Sequence, residues 1–368
     1  MQLFVSTRKG LFRFERDTAG WTITARHFLG DNVTLVQPFR DRRSVLAALD
    51  HGHFGVKLHR SLDAGASFEE IAAPRYPEPP PNAPPIVNPI SKREIPCSLK
   101  LIWALAESAD GSWWCGTIPG GLFRSRDRGE SWAINDALWS HPARAEWFGG
   151  GMEFPGIHSI TPHPTEAASL GVGVSCGGYW ITHDAGESWE NQSDGMYAEY
   201  MPPEQRHNPN VQDVHCVVRC AAAPEVLWAQ HHNAVFRSAD DAKSWSEVGA
   251  IAPSKFGFAV AVDPSDPATA WFVPAIRDEK RIPVDGRLVV ARTRDAGRSF
   301  ELLRNGLPQQ DAYDLVYRHA LDVDPSGRTL ALGSTTGSLW ISEDAGDHYS
   351  EISSHLPEIY SVRFGFAA

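Results

Sequence analysis

Three histidines stand where imidazole rings from neighbouring β-strands are expected to meet. His158 and His215 occupy equivalent places in two similar segments, GIHSITPHP and DVHCVVRC, and His232 follows the second segment. Converging neutral imidazoles can hold a zinc, iron, manganese or nickel ion and leave a position open for water or substrate. The spacing matches no recognised metal motif, so a divalent transition metal on these three histidines and a metal-free polar pocket remain alternatives.

Further candidates surround these histidines. Glu153 and His207 precede the two segments and could supply a general base or another ligand. His319 follows Arg318 at the start of a later segment, RHALDVDP, and could act as an acid or a base. We expect catalysis to involve Glu153, His319 and Arg318, and His207 to contact substrate.

Cationic side chains are predicted beside the same spot. Arg8, Lys100 and Arg277 fall in connections or strand starts that we place there, and we interpret them as substrate-binding residues. A planar guanidinium binds carboxylates and similar anions through two hydrogen bonds. The predicted substrate is therefore a small anionic or polyhydroxylated molecule.

A repeated turn motif must position these residues. The pattern S/T-x-D-x-G-x-S/T-aromatic is clearest in SRDRGESW (125–132) and THDAGESW (182–189). It recurs along the whole chain, and its aspartates are Asp17, Asp63, Asp127, Asp184, Asp240, Asp295 and Asp344. Between the turns lie short segments rich in β-branched and aromatic residues, typical of strands. The repeat predicts seven units of four strands, with the aspartate and glycine shaping one hairpin turn in each.

These motifs resemble the Asp-box, or BNR, repeat of sialidases and related propellers, and the resemblance covers essentially the entire chain. It implies an all-β, seven-bladed β-propeller that forms one domain over residues 1–368, with the aspartates serving the fold and not catalysis. The chain begins at a second strand, LFVST, and ends with EIYSVRF. We therefore expect the C-terminal strand to complete the N-terminal blade and remove both sheet edges.

The same family contains sialidases, which carry an arginine triad, an early Arg-Ile-Pro motif, an aspartate acid/base and a tyrosine–glutamate nucleophile pair. Here the Arg-Ile-Pro triplet, Arg281-Ile282-Pro283, falls in a late insertion, and we interpret it as coincidence. The remaining requirements find no match residue by residue. The chain looks more like the cytoplasmic BNR-repeat proteins of bacteria, and sialidase activity is not expected.

The connections between strands differ in length on the two faces of such a propeller. In an antiparallel blade, the first-to-second and third-to-fourth turns share one face, and here they are short. The opposite face receives the long insertions 71–97, 135–155, 193–212, 275–285 and 304–317. Connections this long in a compact fold are usually functional, so we expect the site on this face over the central channel.

Composition narrows the class of protein. The net charge of −11 argues against nucleic-acid binding, and no apolar run approaches the ~20 residues of a membrane span. Five scattered cysteines do not form a disulfide framework, and the first residues lack a secretory pattern. We expect a cytoplasmic protein with a small-molecule substrate, no nucleic-acid partner and no membrane contact; oligomeric state is not predicted.

Three functions remain open. The first is an enzyme of hydrolase or lyase type, with or without metal assistance, acting at the channel mouth. The second is a glycosidase that uses Glu153 with Glu199 or Glu204, which requires carboxylates roughly 5–9.5 Å apart. The third is a non-catalytic scaffold for a protein partner, which predicts an exposed apolar rim and a channel filled by side chains.

Overall fold

The computed structural model, which describes residues 1–82 and 84–365, consists of seven four-stranded antiparallel sheets around a central channel. This confirms the predicted all-β, seven-bladed propeller.

Strands are numbered along the chain, and the strands of each blade are given in order from the channel outward. Blade 1 comprises β28 (Ile359–Gly365), β1 (Gln2–Thr7), β2 (Gly10–Asp17) and β3 (Gly20–His27); blade 2 comprises β4 (Val33–Pro38), β5 (Val45–Asp50), β6 (Val56–Ser61) and β7 (Glu69–Ile71). Blade 3 comprises β8 (Leu101–Glu107), β9 (Trp113–Ile118), β10 (Leu122–Ser125) and β11 (Ala133–Ile134); blade 4 comprises β12 (Ile157–Pro162), β13 (Leu170–Val174), β14 (Gly178–Thr182) and β15 (Glu190–Asn191). Blade 5 comprises β16 (Val214–Arg219), β17 (Leu227–His231), β18 (Val235–Ser238) and β19 (Ser246–Glu247); blade 6 comprises β20 (Gly257–Val262), β21 (Ala270–Pro274), β22 (Val290–Thr293) and β23 (Glu301–Leu303). Blade 7 comprises β24 (Leu321–Val323), β25 (Leu330–Gly333), β26 (Leu339–Ser342) and β27 (Ser350–Ser353).

The C-terminal strand closes the ring. Strand β28 runs antiparallel to β1 as the innermost strand of blade 1, with Leu3 opposite Phe364 and Ser6 opposite Ser361. The two serine hydroxyls lie 2.7 Å apart. This pairing confirms the predicted closure and leaves neither terminal strand as a free inner edge.

Helical structure is confined to short turns in the connections. The helix α1 spans Asp136–Trp139, and 3-10 turns occupy Gly52–Phe54, Pro142–Glu146, Pro209–Val211 and Val284–Gly286. Asn135 caps α1 by accepting a hydrogen bond from the Leu138 N–H. No helix in the described part of the chain has the length and apolar character needed to cross a bilayer.

Large aromatic side chains fill the spaces between adjacent blades. Phe39 of blade 2 stacks on Trp113 of blade 3 with ring centroids 4.1 Å apart. Trp271 of blade 6 is fully buried and donates its indole N–H to the Ala345 carbonyl of blade 7 at 3.0 Å. The Trp271 indole removes a large apolar area from water while its N–H keeps a partner, so this contact joins blades 6 and 7.

The repeated turns take the form that the sequence predicts. Asp184 accepts hydrogen bonds from the Thr182 hydroxyl at 2.7 Å and from the backbone N–H and hydroxyl of Ser188 at 2.9 and 2.5 Å. Ala185 and Gly186 have φ of 61° and 93°, the left-handed region in which glycine is least strained. These hydrogen bonds hold the pKa of Asp184 far below its ordinary value. The aspartate is therefore occupied within its own turn, on the face away from the long inserts.

Replacing this carboxylate should destabilise the fold. Asp184→Ala removes three acceptor contacts, and we expect the free energy of unfolding to fall by about 1–2 kcal/mol. Urea denaturation measures the change. Glu187→Ala, an exposed carboxylate in the same turn, is the matched control and should lie within about 0.5 kcal/mol of the wild type. Equal losses in the two variants would contradict the proposed role of the aspartate.

Candidate functional site

The long inserts surround one end of the channel, where the inner strands begin. A cavity of about 300 Å³, here called the mouth cavity, opens at this end. Its wall consists of Asn32, Thr34, Leu101, Trp103, Gly151, Met152, Phe258, Arg281, Tyr317, Arg318, His319 and Tyr360. A second cavity of about 390 Å³, the inner cavity, follows the inner strands towards the opposite face. Arg318 and His319 line both cavities and therefore form the waist between them.

β-Bulges in the inner strands place side chains near this waist. In six of the seven blades of the described chain, the register between the inner strand and its neighbour shifts near the insert face. The residues at these bulges are Thr34, Trp103, His158, His215, Phe258 and Tyr360. A bulge adds one residue and redirects its side chain, and bulges are frequent beside active sites. His158 and His215 thus hold equivalent positions in adjacent blades, as their segments predict.

Arg318 is the central cation of the site. Its guanidinium carbon lies 4.7 Å from the centroid of the Trp103 ring and 5.1 Å from that of Phe258, so the group sits between two aromatic faces. Its Nε atom is buried without a hydrogen-bond partner, and no carboxylate of the described residues lies within 4.0 Å of the guanidinium. Burial lowers the pKa of Arg318, with nearby Asp213 opposing the change, but a guanidinium stays charged at neutral pH.

Two histidines add unpaired donors at the waist. His319 Nδ1 lies 3.1 Å from Arg363 Nη2, which can only donate, so the ring proton of the neutral imidazole resides on Nε2. The Ser159 hydroxyl accepts from the Val217 N–H and lies 2.9 Å from His158 Nδ1; when this hydroxyl donates its own proton to Nδ1, the ring proton of His158 lies on Nε2. Both Nε2 atoms are buried and make no hydrogen bond of normal geometry among the described residues, although the Trp103 carbonyl lies near the His319 ring. The residues that carry these atoms line the inner cavity together with Arg318.

A separate polar group contacts Phe258 through His215. Asp213, at the end of an insert, places Oδ2 3.3 Å from His215 Nε2 and 3.4 Å from His232 Nδ1. All three ligand atoms lie within 4.8 Å of one another, and two of the three residues are fully buried. His215 stacks on Phe258 with ring centroids 4.6 Å apart. The structure thus brings together two of the three predicted metal ligands, with Asp213 in the place that the sequence assigned to His158.

Charge interactions within this group shift the pKa values in opposite directions. Burial would raise the pKa of Asp213, but the neighbouring His215 and His232 hold that pKa well below its usual value. Burial dominates for His215 and lowers its pKa despite the carboxylate. Burial also acts to lower the pKa of the more exposed His232, but hydrogen bonding and charge interaction with Asp213 raise it overall. Asp213 therefore remains an anion at neutral pH.

Two tyrosines of the mouth-cavity wall, Tyr317 and Tyr360, share one carboxylate that is not itself part of the wall. The Tyr317 hydroxyl donates to Glu358 Oε1 at 2.8 Å, and the Tyr360 hydroxyl donates to Glu358 Oε2 at 3.5 Å. Burial, reinforced by Glu358, raises the pKa of Tyr317 and raises that of Tyr360 to about 12. Both phenols stay protonated at neutral pH, with a carboxylate in place to accept a proton from either of them.

Several residues singled out in the sequence lie outside the cavity walls. Glu153 is 49% exposed and forms an ion pair with Arg93 on a neighbouring insert. Arg8 lies 3.7 Å from Glu358, and Arg277 lies 3.5 Å from Glu279. The other residues in this set are exposed, namely Lys100, His207, Glu199 and Glu204. No carboxylate belongs to the described wall of the mouth cavity, so the geometry offers no pair of facing acids there.

Other site residues were missed in the sequence. Arg281, interpreted there as coincidence, lines the mouth cavity, with its guanidinium carbon 5.2 Å from the Phe258 ring. Asp213 stands two residues before His215, but strand alternation does not predict their contact, because Asp213 precedes the strand and His215 lies at a bulge. Tyr317 and Glu358 are 41 residues apart and meet only through the closed ring, and no local pattern reveals that contact.

The fold is shared with several solved structures. The chain aligns with a GH74 xyloglucanase from Xanthomonas campestris at 16% identity and a TM-score of 0.62, over 95% of this chain and 52% of that one. It aligns with a candidate 6-phosphogluconolactonase from Bacteroides uniformis at 10% identity and a TM-score of 0.56, over 98% of both chains. A third match is YCF48 bound to a D1 peptide, at 14% identity and a TM-score of 0.53, over 87% of this chain and 80% of that one.

No protein-family model and no curated protein sequence matches the chain. The chain spans about half of the xyloglucanase and 38% of an ancestral GH74 enzyme that also matches. At these identities the comparisons establish the propeller fold. Propellers with this architecture include both enzymes and peptide-binding proteins, so the chemistry must be argued from the site itself.

The buried neutral histidines at the waist predict a loss of stability in mild acid. Burial, followed by the charges of Arg318 for His158 and Arg363 for His319, lowers the pKa of each ring well below its ordinary value. Above pH ~6.5, where an unfolded histidine is also neutral, their contribution is constant. Below that pH the unfolded chain binds protons that the folded chain does not. The free energy of unfolding then falls by up to about 1.4 kcal/mol per pH unit for each histidine.

Urea denaturation between about pH 7.5 and pH 5 measures this dependence. His319→Asn should flatten the slope below pH ~6.5. His207→Asn, which alters an exposed ring, should leave the slope unchanged. Parallel curves for the wild type and His319→Asn would show that His319 is protonated in the folded protein.

Proposed function

We propose that the mouth cavity is the active site of a hydrolase or lyase that acts on a small anionic, polyhydroxylated molecule. The observation that carries this proposal is the unpaired Arg318 guanidinium, held between Trp103 and Phe258 at the channel waist. Buried polar groups are normally satisfied, and an unsatisfied group calls for a ligand, water or ion. A cation in this position favours an anion as the missing partner.

The neighbouring donors support the same ligand chemistry. His158 and His319, which line the inner cavity together with Arg318, each contain a buried Nε2 atom without a hydrogen-bond partner. A carboxylate or phosphate offers several acceptor oxygens and could satisfy all three residues at once. A cationic ligand would leave these donors unpaired and would be repelled by the guanidinium.

The walls of the mouth cavity favour a ring or a chain of hydroxyl groups above the anion. Trp103 and Phe258 present aromatic surface, and the rings of Tyr317 and Tyr360 lie roughly parallel with centroids 6.1 Å apart. Asn32 and Thr34 add short polar side chains at the rim. Apolar walls with a few polar groups are typical of small-molecule sites.

The same wall contains groups suited to proton transfer. Tyr317 donates its hydroxyl hydrogen bond to Glu358, so the carboxylate can accept a proton as the phenol oxygen or a water attacks a bound substrate. On the adjoining wall, the neutral His319 ring can donate its Nε2 proton in a hydrogen bond to oxygen that gains negative charge. Arg318 would stabilise the same charge. This assigns catalytic roles to His319 and Arg318, and gives Tyr317 with Glu358 the role that the sequence suggested for Glu153.

The structural neighbours are compatible with this class of reaction. One similar structure is named a GH74 xyloglucanase, and another is a candidate 6-phosphogluconolactonase. A sugar acid or its phosphate combines a hydroxylated chain with an anion, as the mouth cavity requires. Because fold alone does not transfer activity, the proposal depends on the residues described above.

A second function is favoured by an apolar rim. Val87, Ile90 and Met152 are exposed on two inserts, which are joined by the ion pair of Arg93 with Glu153. Such a surface could dock a protein partner, and one similar propeller, YCF48, was solved with a bound peptide. In that case Val87→Ser with Ile90→Ser would abolish partner binding while leaving small-anion binding intact, because neither residue lines the mouth cavity.

Removing the central cation should weaken anion binding. In Arg318→Gln we expect the affinity for 6-phosphogluconate to fall by about 10- to 100-fold, because a charged hydrogen-bonding group is lost from a dry site. Isothermal titration calorimetry measures the change, with glucuronate, citrate and inorganic phosphate as further probes. Arg277→Gln, an exposed arginine on an insert of the same face, is the matched control and should bind as the wild type does. Equal affinities for the two variants, or no binding of any probe by the wild type, would reject the anion site.

Removing the proton-transfer groups should lower the rate of catalysis more than it weakens substrate binding. Tyr317→Phe and Glu358→Gln should each lower kcat by about 100- to 10,000-fold while changing KM much less. Hydrolysis of 6-phosphogluconolactone and of p-nitrophenyl glucuronide provides the first assays. Tyr313→Phe, which alters an exposed tyrosine four residues away, serves as the control. Unchanged kcat in Tyr317→Phe and Glu358→Gln would assign these residues to structure.

A further inference from the structure

We infer that Asp213, His215 and His232 form a binding site for one divalent transition-metal ion beside the mouth cavity. The inference goes beyond the anion site, because it involves different residues, of which His215 stacks on the Phe258 ring that Arg318 also contacts. One carboxylate oxygen and two imidazole nitrogens make a ligand set typical of Zn²⁺, Fe²⁺, Mn²⁺ or Ni²⁺. Ca²⁺ and Mg²⁺ favour sites composed of oxygen atoms.

The separations between the ligand atoms fit coordination of a common ion. A metal at about 2.0–2.1 Å from each of its ligands in a tetrahedral arrangement keeps those ligands about 3.3–3.4 Å apart. Asp213 Oδ2 lies 3.3 Å from His215 Nε2 and 3.4 Å from His232 Nδ1. Every pair in the group lies within 4.8 Å. Three protein ligands leave at least one coordination position for water or substrate.

The surroundings orient the ligands as metal sites require. His215 Nδ1 lies 2.7 Å from the Gly257 carbonyl oxygen, so this nitrogen carries the proton and Nε2 presents its lone pair to Asp213. Two lone pairs facing each other are repulsive unless a cation or proton lies between them. The other oxygen of Asp213 accepts from the Ser175 hydroxyl at 3.3 Å and the Cys176 N–H at 3.2 Å. Such outer hydrogen bonds fix a carboxylate for metal binding.

The backbone of an insert closes over the group. A Cβ atom added at Gly150 would lie 2.7 Å from Asp213 Oδ2, so only glycine allows the insert to approach this closely. The next residue, Gly151, lines the mouth cavity. His232 is the most accessible of the ligands, with 24% of its side chain exposed. The open coordination position therefore has a path to solvent at the edge of the substrate cavity.

Cobalt substitution tests the site directly. Full-length protein is stripped with a chelator, dialysed and titrated with Co²⁺ and Zn²⁺. We expect one ion per chain, with visible absorption bands of Co²⁺ bound through nitrogen and oxygen. His232→Ala and Asp213→Asn should each weaken Zn²⁺ binding by at least about 100-fold. His207→Ala removes an exposed imidazole from the insert that ends at Asp213, and it should bind as the wild type does.

Substitutions at two adjacent glycines, Gly150 and Gly151, provide a second test in case a ligand variant fails to fold. Gly150→Ala should weaken metal binding by about 10- to 100-fold, because the new methyl group displaces Asp213. Gly151→Ala is the matched control, since its Cβ would only approach the flexible end of Arg281, at 3.4 Å. No uptake of Co²⁺, Zn²⁺, Mn²⁺, Fe²⁺ or Ni²⁺ by the wild type, or equal uptake by His232→Ala and His207→Ala, would overturn the inference. The stripped protein should still bind 6-phosphogluconate through Arg318, so failure of one site is separable from failure of the other.

Discussion

The antiparallel pairing of β28 with β1 is the constraint on which the rest of the structure depends. It joins residues more than 350 positions apart, such as Ser6 and Ser361, and makes the last strand of the chain the inner wall of the first blade. The same strand brings Tyr360 to the wall of the mouth cavity that Tyr317 also lines, and the residue before the strand, Glu358, accepts the Tyr317 hydroxyl hydrogen bond. Closure of the ring therefore stabilises the fold and completes the site in a single contact.

The bulges of the inner strands connect this architecture to chemistry. A regular inner strand would present alternate side chains to the channel and to the neighbouring strand layer. An added residue near the insert face breaks that alternation and places Trp103, His158, His215 and Phe258 around one level. These side chains contact one another in pairs, His158 with Trp103 and His215 with Phe258. Arg318 then lies between the two aromatic members, which explains how a buried cation without a carboxylate partner is accommodated.

The features that could be predicted from the sequence are those encoded by short, repeated motifs. The spacing of aspartates such as Asp127 and Asp184 gave the number of blades, and the incomplete first unit predicted closure. Equivalent segments placed His158 and His215 at matching positions. The sequence could not distinguish a histidine whose Nδ1 is bound by Ser159 from one whose Nδ1 is held by a backbone carbonyl, as in His215. Those partners decide whether a ring offers a proton or a lone pair, and they are set by packing between strands.

The two sites differ in electrostatic character although both contact Phe258. In the first, Arg318 and two neutral histidines contain buried nitrogen atoms that lack an acceptor. In the second, Asp213 and the free nitrogen of His215 offer acceptors directed at each other. The first arrangement favours an anion and the second favours a cation. An anionic substrate held by Arg318 would therefore lie close to a metal on the Asp213 group, which is the arrangement expected where an ion polarises a substrate or activates a water molecule.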